Sequence, residues 1–144
     1  MKKAKVLIVA SRYNKLIVNS LIRTSFKQLS PQSWIDKFLI EVPGAFEIPV
    51  TIEKFIKKFD GAVALGCIIK GETNNFDLIS KSITDSLLQL SLKHKKPIGN
   101  GIITALNMNQ AIARSKKNPL KKPNKGSEAA NAVISILKNE PKQI

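Results

Sequence analysis

The chain has 144 residues, 43% of them hydrophobic, which is enough to bury one core in a single domain over residues 1–144. Its formal net charge is +14, and no apolar run approaches the ~20 residues of a membrane span. Cys67 is the only cysteine and His94 the only histidine. That composition excludes an internal disulfide and a multi-cysteine zinc site, and it fits a reducing cytoplasm.

The positive charge has two interpretations. It could serve nucleic acid or an anionic membrane, or it could be a solvated lysine surface. All but three of the 24 basic residues are lysines, the exceptions being Arg12, Arg23 and Arg114. Phosphate and base recognition favours the arginine fork. We therefore expect a solvated surface and no nucleic-acid partner.

Apolar spacing predicts strands that alternate with helices. Val6–Ala10 is a continuous apolar run, which is typical of a strand covered on both faces. The predicted strands are Val6–Ala10, Trp34–Val42, Ala62–Ile69 and Pro97–Thr104. The predicted helices are Leu16–Ser30, Phe46–Lys58, Phe76–His94, Met108–Arg114 and Ser127–Lys138. In the second and third helices we expect these side chains to point inward: Val50, Ile52, Phe55, Ile56, Ile79, Ile83, Leu87, Leu88 and Leu90.

This alternation predicts an α/β fold, a three-layer sandwich with a four-stranded parallel sheet and helices on both faces. Ligands of such sheets bind at the carboxyl ends of the strands. Polar motifs follow all four predicted strands at that edge: Ser11–Asn14, Gly44–Glu47, Gly71–Phe76 and Ala105–Asn107. The pattern therefore predicts a small-molecule site without naming the molecule.

Individual residues in these motifs have a functional and a structural interpretation. Tyr13 could stack on a flat heterocycle or cap the core, and the convergence of motifs favours stacking. Glu47 could accept hydroxyl groups of a polyol, but in isolation an ordinary carboxylate in the first turn of a helix is favoured. Gly71–Thr73 suits a phosphate or a carbonyl end, although neither a Walker motif nor a dinucleotide fingerprint is present.

Basic residues near the end of the chain suggest an anion site. Arg114 could be a solvated partner of the helix dipole or a phosphate fork. The lysines that surround it in sequence raise the local potential: Lys116, Lys117, Lys121, Lys122 and Lys125. We expect His94 to be a surface residue, because the sequence shows no partner that could orient it.

The motifs SRYN, VPGAFEIP, GCIIKGETNNF, QAIAR and NKGSEAA, in this order and spacing, resemble the lumazine synthase family over essentially the whole chain. The resemblance implies a flavodoxin-like fold and a reaction that needs no cofactor. It also implies condensation of 5-amino-6-(D-ribitylamino)uracil with 3,4-dihydroxy-2-butanone 4-phosphate in riboflavin biosynthesis. The active sites would lie between neighbouring subunits of a homopentamer.

The resemblance also implies roles for individual residues. For ribitylaminouracil, Tyr13 would stack on the pyrimidine, and the ribityl chain would be held by Ala45, Phe46 and Glu47. The uracil edge would be read by the backbone of Cys67, Ile68 and Ile69. Asn100 falls where a neighbouring subunit completes the pocket. For the butanone phosphate, the implied residues are Glu72, Thr73, Arg114 and Lys125.

Asn75 departs from the family pattern, which has a histidine at this position. Asparagine forms hydrogen bonds but carries no proton that it could exchange near neutral pH. Two alternatives follow. In the favoured one, the protein is a slower synthase in which solvent, Glu72 or a phosphate oxygen moves the protons. In the other, it is a non-catalytic pentamer that binds lumazine or flavin.

Two features bear on the expected assembly. The chain begins close to its first strand, and the loop from Arg114 to Asn124 looks a few residues longer than in the capsid-forming members of the family. On the resemblance, both favour a free pentamer over an icosahedral shell.

Overall fold

Four strands and five helices alternate in the computed structural model, which describes residues 3–116 and 124–144. The strands are β1 (Ala4–Ser11), β2 (Ile35–Val42), β3 (Gly61–Ile69) and β4 (Ile98–Ala105). The helices are α1 (Lys15–Leu29), α2 (Ile48–Phe55), α3 (Phe76–His94), α4 (Met108–Ser115) and α5 (Lys125–Lys138). The strands form one parallel sheet in the order β2-β1-β3-β4. The predicted fold class is thus confirmed.

The sheet is covered on both faces, as the apolar runs predicted. Alternate residues of β1 enter two separate cores, Val6 and Ile8 on one face and Leu7 and Val9 on the other. The first core packs against α1, α4 and α5, and the second against α2 and α3. All nine residues of β3 are buried. The central strands therefore fix where their carboxyl ends, and the motifs that follow them, emerge.

The largest difference from the predicted elements concerns the helix expected over Phe46–Lys58. The chain forms a 3-10 turn at Ala45–Glu47, then α2, then a second 3-10 turn at Ile56–Lys58. The amide of Ile48 donates to the carbonyl of Ala45, three residues back, which tightens the entry ahead of Pro49. Proline lies in the first turn of α2, where it removes no intrahelical bond.

The prediction of inward side chains was wrong at two positions. Val50 in α2 is 65% exposed and Leu88 in α3 is 60% exposed. The buried residues of α3 are Ile83 and Leu87, so the apolar stripe is one residue wide at each turn and Leu88 lies beyond it.

Glycine lets α5 lie directly on β4. A Cβ at Gly99 would lie 2.3 Å from the carbonyl oxygen of Ala129, which is shorter than any real contact. The close approach sets the N-terminal turn of α5 beside the edge of β4.

Among residues 3–116 and 124–144, no helix is both long enough and apolar enough to cross a membrane.

Candidate active site

The first candidate site is a cavity of about 150 Å³ at the carboxyl ends of the strands, here called the strand-end cavity. It is lined by Tyr13, Gly44, Ala45, Phe46, Cys67, Ile68, Ile69, Glu72, Thr73 and Ile79. Three of the four predicted strand-end motifs therefore converge. The fourth does not contribute, because Asn107 begins α4 and its side chain accepts a hydrogen bond from the amide of Gln110 at 2.9 Å.

Tyr13 is held where a flat ligand could reach its ring. Its amide donates to the carbonyl of Pro43 at 3.2 Å, so the chain leaves β1 alongside the end of β2. The side chain is 56% exposed, and its hydroxyl donates to Oε2 of Glu72 at 3.3 Å. The hydrogen bond orients the ring and leaves its face open, which is the arrangement needed for stacking.

The end of β3 offers its backbone to the cavity more than its side chains. The side chains of Cys67, Ile68 and Ile69 are buried. Burial, and secondarily the nearby Glu72 carboxylate, raises the pKa of the Cys67 thiol to about 12, so the thiol stays neutral and is a poor nucleophile. The chain then turns at Gly71, whose φ of 97° favours glycine, and this turn brings Glu72 round towards Tyr13.

Asn14 is a residue of this site that sequence reasoning missed. It adopts the left-handed conformation, with φ 57° and ψ 51°, at the start of α1. Its side-chain amide donates to the carbonyl of Cys67 at 3.3 Å, which ties the SRYN motif to the end of β3. A signal was available, because asparagine tolerates this conformation better than most residues and stands directly before a helix.

Glu47 follows its structural interpretation in the isolated chain. Its Oε1 accepts a hydrogen bond from the amide of Gly44 at 3.1 Å, across its own 3-10 turn. The neighbouring Phe46 is 70% exposed. The turn therefore presents an exposed aromatic ring to the strand-end cavity, while the carboxylate of Glu47 is held by its own turn.

The second candidate site lies along the free edge of β4, in a cavity of about 330 Å³ that we call the β4-edge cavity. It is lined by Thr84, Asn100, Ile102, Ile103, Thr104, Arg114, Lys125 and Glu128. The guanidinium of Arg114 donates to the carbonyl of Thr104 at 2.7 Å, and Oδ1 of Asn100 accepts from the amide of Ile102 at 3.1 Å. Two cations and one carboxylate, that of Glu128, share this cavity, so positive charge is in excess and suits an anionic ligand.

The structure divides the site residues between these two cavities, which have no lining residue in common. Tyr13, Ala45, Phe46, Cys67, Ile68, Ile69, Glu72 and Thr73 line the first, and Asn100, Arg114 and Lys125 the second. Glu47 lies next to the first through its turn. Asn75 is exposed, begins α3 and makes no capping bond with its side chain, while its carbonyl accepts from the amide of Ile79. The predicted contributions of Lys117, Lys121 and Lys122 lie outside the described residues.

A larger cavity, of about 510 Å³, lies at the opposite ends of the strands. Its lining includes Lys3, Lys5, Lys57, Lys58 and Lys96. None of the sequence motifs lies there, and the amino ends of parallel strands are not where such sheets bind their ligands. We therefore take the smaller strand-end cavity, and not this larger one, as the first candidate site, because the sequence motifs converge there.

The prediction for His94 was wrong. Its side chain is only 10% exposed, and its Nε2 lies 2.6 Å from Oε2 of Glu53 on α2. Nζ of Lys93 donates to the other carboxylate oxygen at 2.9 Å. The hydrogen bond with His94, followed by that with Lys93, holds the pKa of Glu53 below its ordinary value. The histidine joins α3 to α2 and lines neither candidate cavity, and nothing in the local sequence marks a partner 41 residues away.

The structure thus defines a parallel α/β protein with one cavity at the carboxyl ends of its strands and a second at the edge of its sheet. Comparison with known proteins gives the particular family. The model of the 6,7-dimethyl-8-ribityllumazine synthase family matches residues 3–140. This chain belongs to that family.

Individual relatives agree over nearly the whole chain. A 6,7-dimethyl-8-ribityllumazine synthase of Bdellovibrio bacteriovorus is 38% identical over 138 residues, covering 95% of this chain and 75% of the relative. The synthase of Rhodopirellula baltica is 35% identical over 146 residues, covering 99% of this chain and 92% of the relative. The synthase of Sulfurimonas denitrificans is 38% identical over 137 residues, covering 92% of this chain and 87% of the relative. The resemblance inferred from the motifs is confirmed.

Proposed function

We propose that this protein is a riboflavin-pathway transferase. It condenses 5-amino-6-(D-ribitylamino)uracil with 3,4-dihydroxy-2-butanone 4-phosphate to 6,7-dimethyl-8-ribityllumazine and releases phosphate and water. The observation that carries the proposal is that a member of this family presents both an aromatic strand-end cavity and a paired-cation cavity. The relatives bear the synthase name, and nothing in them favours the alternative of a non-catalytic binding protein.

The strand-end cavity suits the uncharged, flat substrate. The exposed face of Tyr13 can stack on the pyrimidine ring, and the backbone at Cys67–Ile69 can pair with its polar edge. The turn at Ala45–Glu47 contributes Ala45 and Phe46 to the lining of the same cavity and suits a chain of hydroxyl groups. A low-polarity wall with a few fixed polar groups is the usual form of a site for such a ligand.

The β4-edge cavity suits the phosphate of the second substrate. Arg114 uses Nη1 to hold the carbonyl of Thr104, which orients the guanidinium while its other N–H groups remain for a ligand. Lys125 adds a second positive charge from the first turn of α5. Charge-assisted hydrogen bonds of this kind are about twice as strong as neutral ones.

The two substrates must meet in one place to react, yet the two cavities on a single chain have separate linings. We therefore propose that each active site forms where the strand-end cavity of one copy meets the β4-edge cavity of a neighbour in a homopentamer. Exposed apolar side chains support an interface, since Leu16 is 87%, Leu78 65% and Leu92 68% exposed. The loop length that favoured free pentamers concerns residues outside the described ranges.

The proton transfers are proposed to run without a histidine. Of the residues that line the strand-end cavity, Glu72 is the only carboxylate, and it already shares a hydrogen bond with Tyr13. The Cys67 thiol is not a candidate, because its pKa of about 12 keeps it protonated. Glu72, solvent or a phosphate oxygen carries the protons, and we expect slower turnover than a histidine would give. We propose that this chemistry takes place in the cytoplasm.

The test is the rate of lumazine formation from the two substrates by purified protein, measured against a protein-free control. A double variant, Glu47→Ala with Arg114→Ala, runs beside it, and Arg23→Ala is the matched control on the exposed side of α1. A rate above background that the double variant loses and Arg23→Ala keeps supports the proposal. A wild-type rate equal to background contradicts it.

A further inference from the structure

A buried asparagine stands directly before the proposed phosphate lysine. Asn124 is 6% exposed and precedes α5. Its Oδ1 accepts hydrogen bonds from the amide of Gly126 at 2.8 Å and from the amide of Ser127 at 3.2 Å. The hydroxyl of Thr24 on α1 donates to the same oxygen at 2.7 Å. The acceptor side of Asn124 therefore caps α5 and joins it to α1.

The donor side of Asn124 reaches a different helix. Its Nδ2 donates to the carbonyl of Ser115, the last residue of α4, at 2.5 Å. The carbonyls of a final helical turn have no partner within the helix. This one accepts a second hydrogen bond from the hydroxyl of Ser20, also at 2.5 Å. One amide side chain thus connects the C-terminus of α4 to the N-terminus of α5.

The residues on either side of this connection are the two cations of the β4-edge cavity. Arg114 precedes Ser115, and Lys125 follows Asn124. The hydrogen bond from Asn124 to Ser115 therefore fixes the backbone of both cations relative to each other. Asn124 itself does not line the cavity.

The first turn of α5 also packs directly against α1, through contacts that do not involve the Asn124–Ser115 hydrogen bond. A Cβ at Gly126 would lie 2.5 Å from the carbonyl oxygen of Leu21, so the first turn of α5 sits against α1 without room for a side chain. The hydroxyl of Ser25 donates to the carbonyl of Gly126 at 2.8 Å. Every polar atom of the Asn124 side chain is itself hydrogen-bonded, which specifies a single arrangement.

We propose that Asn124 is a positioning residue that sets Arg114 and Lys125 to the spacing a phosphate group requires. The inference rests on the proposed function and extends it to a buried residue that touches no substrate. A binding site of two separate cations depends on their relative placement, and small displacements of positioned groups have large effects on binding and rate.

Two variants separate this role from plain stabilisation. Asn124→Ser keeps an accepting hydroxyl that can cap α5, but its side chain is too short to reach the carbonyl of Ser115. Ser25→Ala is the matched control, since it removes a buried hydrogen bond between α1 and α5 and leaves Asn124 and Ser115 untouched. Asn124→Asp is a second probe, because it keeps the acceptor and replaces the donor by an oxygen.

The experiment measures the KM of each substrate, kcat and the melting temperature for each variant. In Asn124→Ser and in Asn124→Asp we expect the KM of the butanone phosphate to rise about tenfold, equivalent to about 1.4 kcal/mol. The KM of ribitylaminouracil should stay within about twofold. Ser25→Ala should lower the melting temperature and leave both KM values in place. An unchanged phosphate-substrate KM in the Asn124 variants, or the same rise in Ser25→Ala, overturns the proposal.

A separate arm distinguishes failure of this inference from failure of the proposed function. If the wild-type protein forms no lumazine, the proposed function fails, and binding of inorganic phosphate by calorimetry tests the connection alone. About tenfold weaker phosphate binding in Asn124→Ser than in Ser25→Ala supports it. Equal binding by the two variants, or none by the wild type, contradicts it.

Discussion

The two cavities of this chain are lined by different kinds of groups. The strand-end cavity is made of strand termini, tight turns and backbone groups, with one aromatic ring held by Glu72. The β4-edge cavity is lined by residues of β4, by Thr84 of α3 and by charged side chains of α4 and α5, two helices that a buried polar network joins. The difference matches the ligands, since a flat neutral ring is held by burial and stacking and a phosphate by positioned charge. On the proposed function, each cavity is one half of an active site.

The largest expected effect concerns the strand-end cavity. Restoring a proton carrier with Asn75→His should raise kcat by about 10²–10⁴-fold, the usual contribution of a positioned general acid or base. Asn74→His is the matched control, because Asn74 is also exposed and is one residue away. The measurement is steady-state kcat near neutral pH. Equal rates in the two variants would mean that the cavity differs from a competent site by more than this residue.

The second prediction concerns the β4-edge cavity. Arg114→Ala removes charge-assisted hydrogen bonds worth about 1.5–3 kcal/mol each, so the KM of the butanone phosphate should rise about 10–100-fold. The KM of ribitylaminouracil should not change, because Arg114 does not line the other cavity. In Arg114→Lys the KM of the butanone phosphate should lie between those of the wild type and Arg114→Ala, because lysine keeps the charge but lacks the forked guanidinium donors. Equal increases in both KM values would remove the distinction between the cavities.

The third prediction concerns the packing that places the β4-edge cavity. In Gly99→Ala the new methyl group meets the carbonyl of Ala129 at 2.3 Å, so the free energy of unfolding should fall by about 1–3 kcal/mol. Gly44→Ala is the control, because its methyl group would find Oε1 of Glu47 at an ordinary 3.5 Å. Urea unfolding followed by circular dichroism measures both. Equal stability of the two variants would contradict the close approach of α5 to β4.

The smallest expected effect lies outside both cavities, at the Glu53–His94 contact. The pKa of Glu53 is lowered in the folded protein from its ordinary value of 4.5. The ionised carboxylate therefore stabilises the fold at pH values above that ordinary pKa. That contribution disappears as the pH falls through the lowered pKa. Glu53→Gln should therefore reduce the melting temperature at pH 7 and approach the wild type in acid. Glu140→Gln, at an exposed terminal position, should match the wild type at every pH.

The fold followed from the sequence because its signals are local. The continuous apolar runs in β1 and β3 predicted a doubly covered sheet, and the helical spacing predicted the five helices, although the one expected over Phe46–Lys58 is α2 between two 3-10 turns. The differences lie at element ends, where competing hydrogen bonds decide. They are the 3-10 turn ahead of Pro49 and the cap at Asn124, with which α5 begins at Lys125 and not at Ser127.

The site was predicted only in part, because sequence spacing places residues at strand ends without giving distances between them. Tyr13 and Glu72, which the sequence placed at strand ends, do line one cavity, but nothing in the sequence indicated that Arg114 lines a separate one. Sequence spacing also missed the pairs that join distant segments. Asn14 with Cys67 is 53 residues apart in sequence, and Thr24 with Asn124 is 100 residues apart. No periodic pattern encodes such pairs.

The most direct test of the central claim is complementation between two inactive variants. Tyr13→Ala disables the strand-end cavity and Arg114→Ala the β4-edge cavity. With the butanone phosphate held well below its KM, each homogeneous assembly should be nearly inactive, while assemblies formed after the two proteins are unfolded together and refolded should recover activity. About a quarter of the interfaces in a random one-to-one mixture would pair two intact halves. Recovery of about that fraction of the wild-type rate is the predicted result. A mixture no more active than the average of the separate variants would show that each chain builds its own complete site.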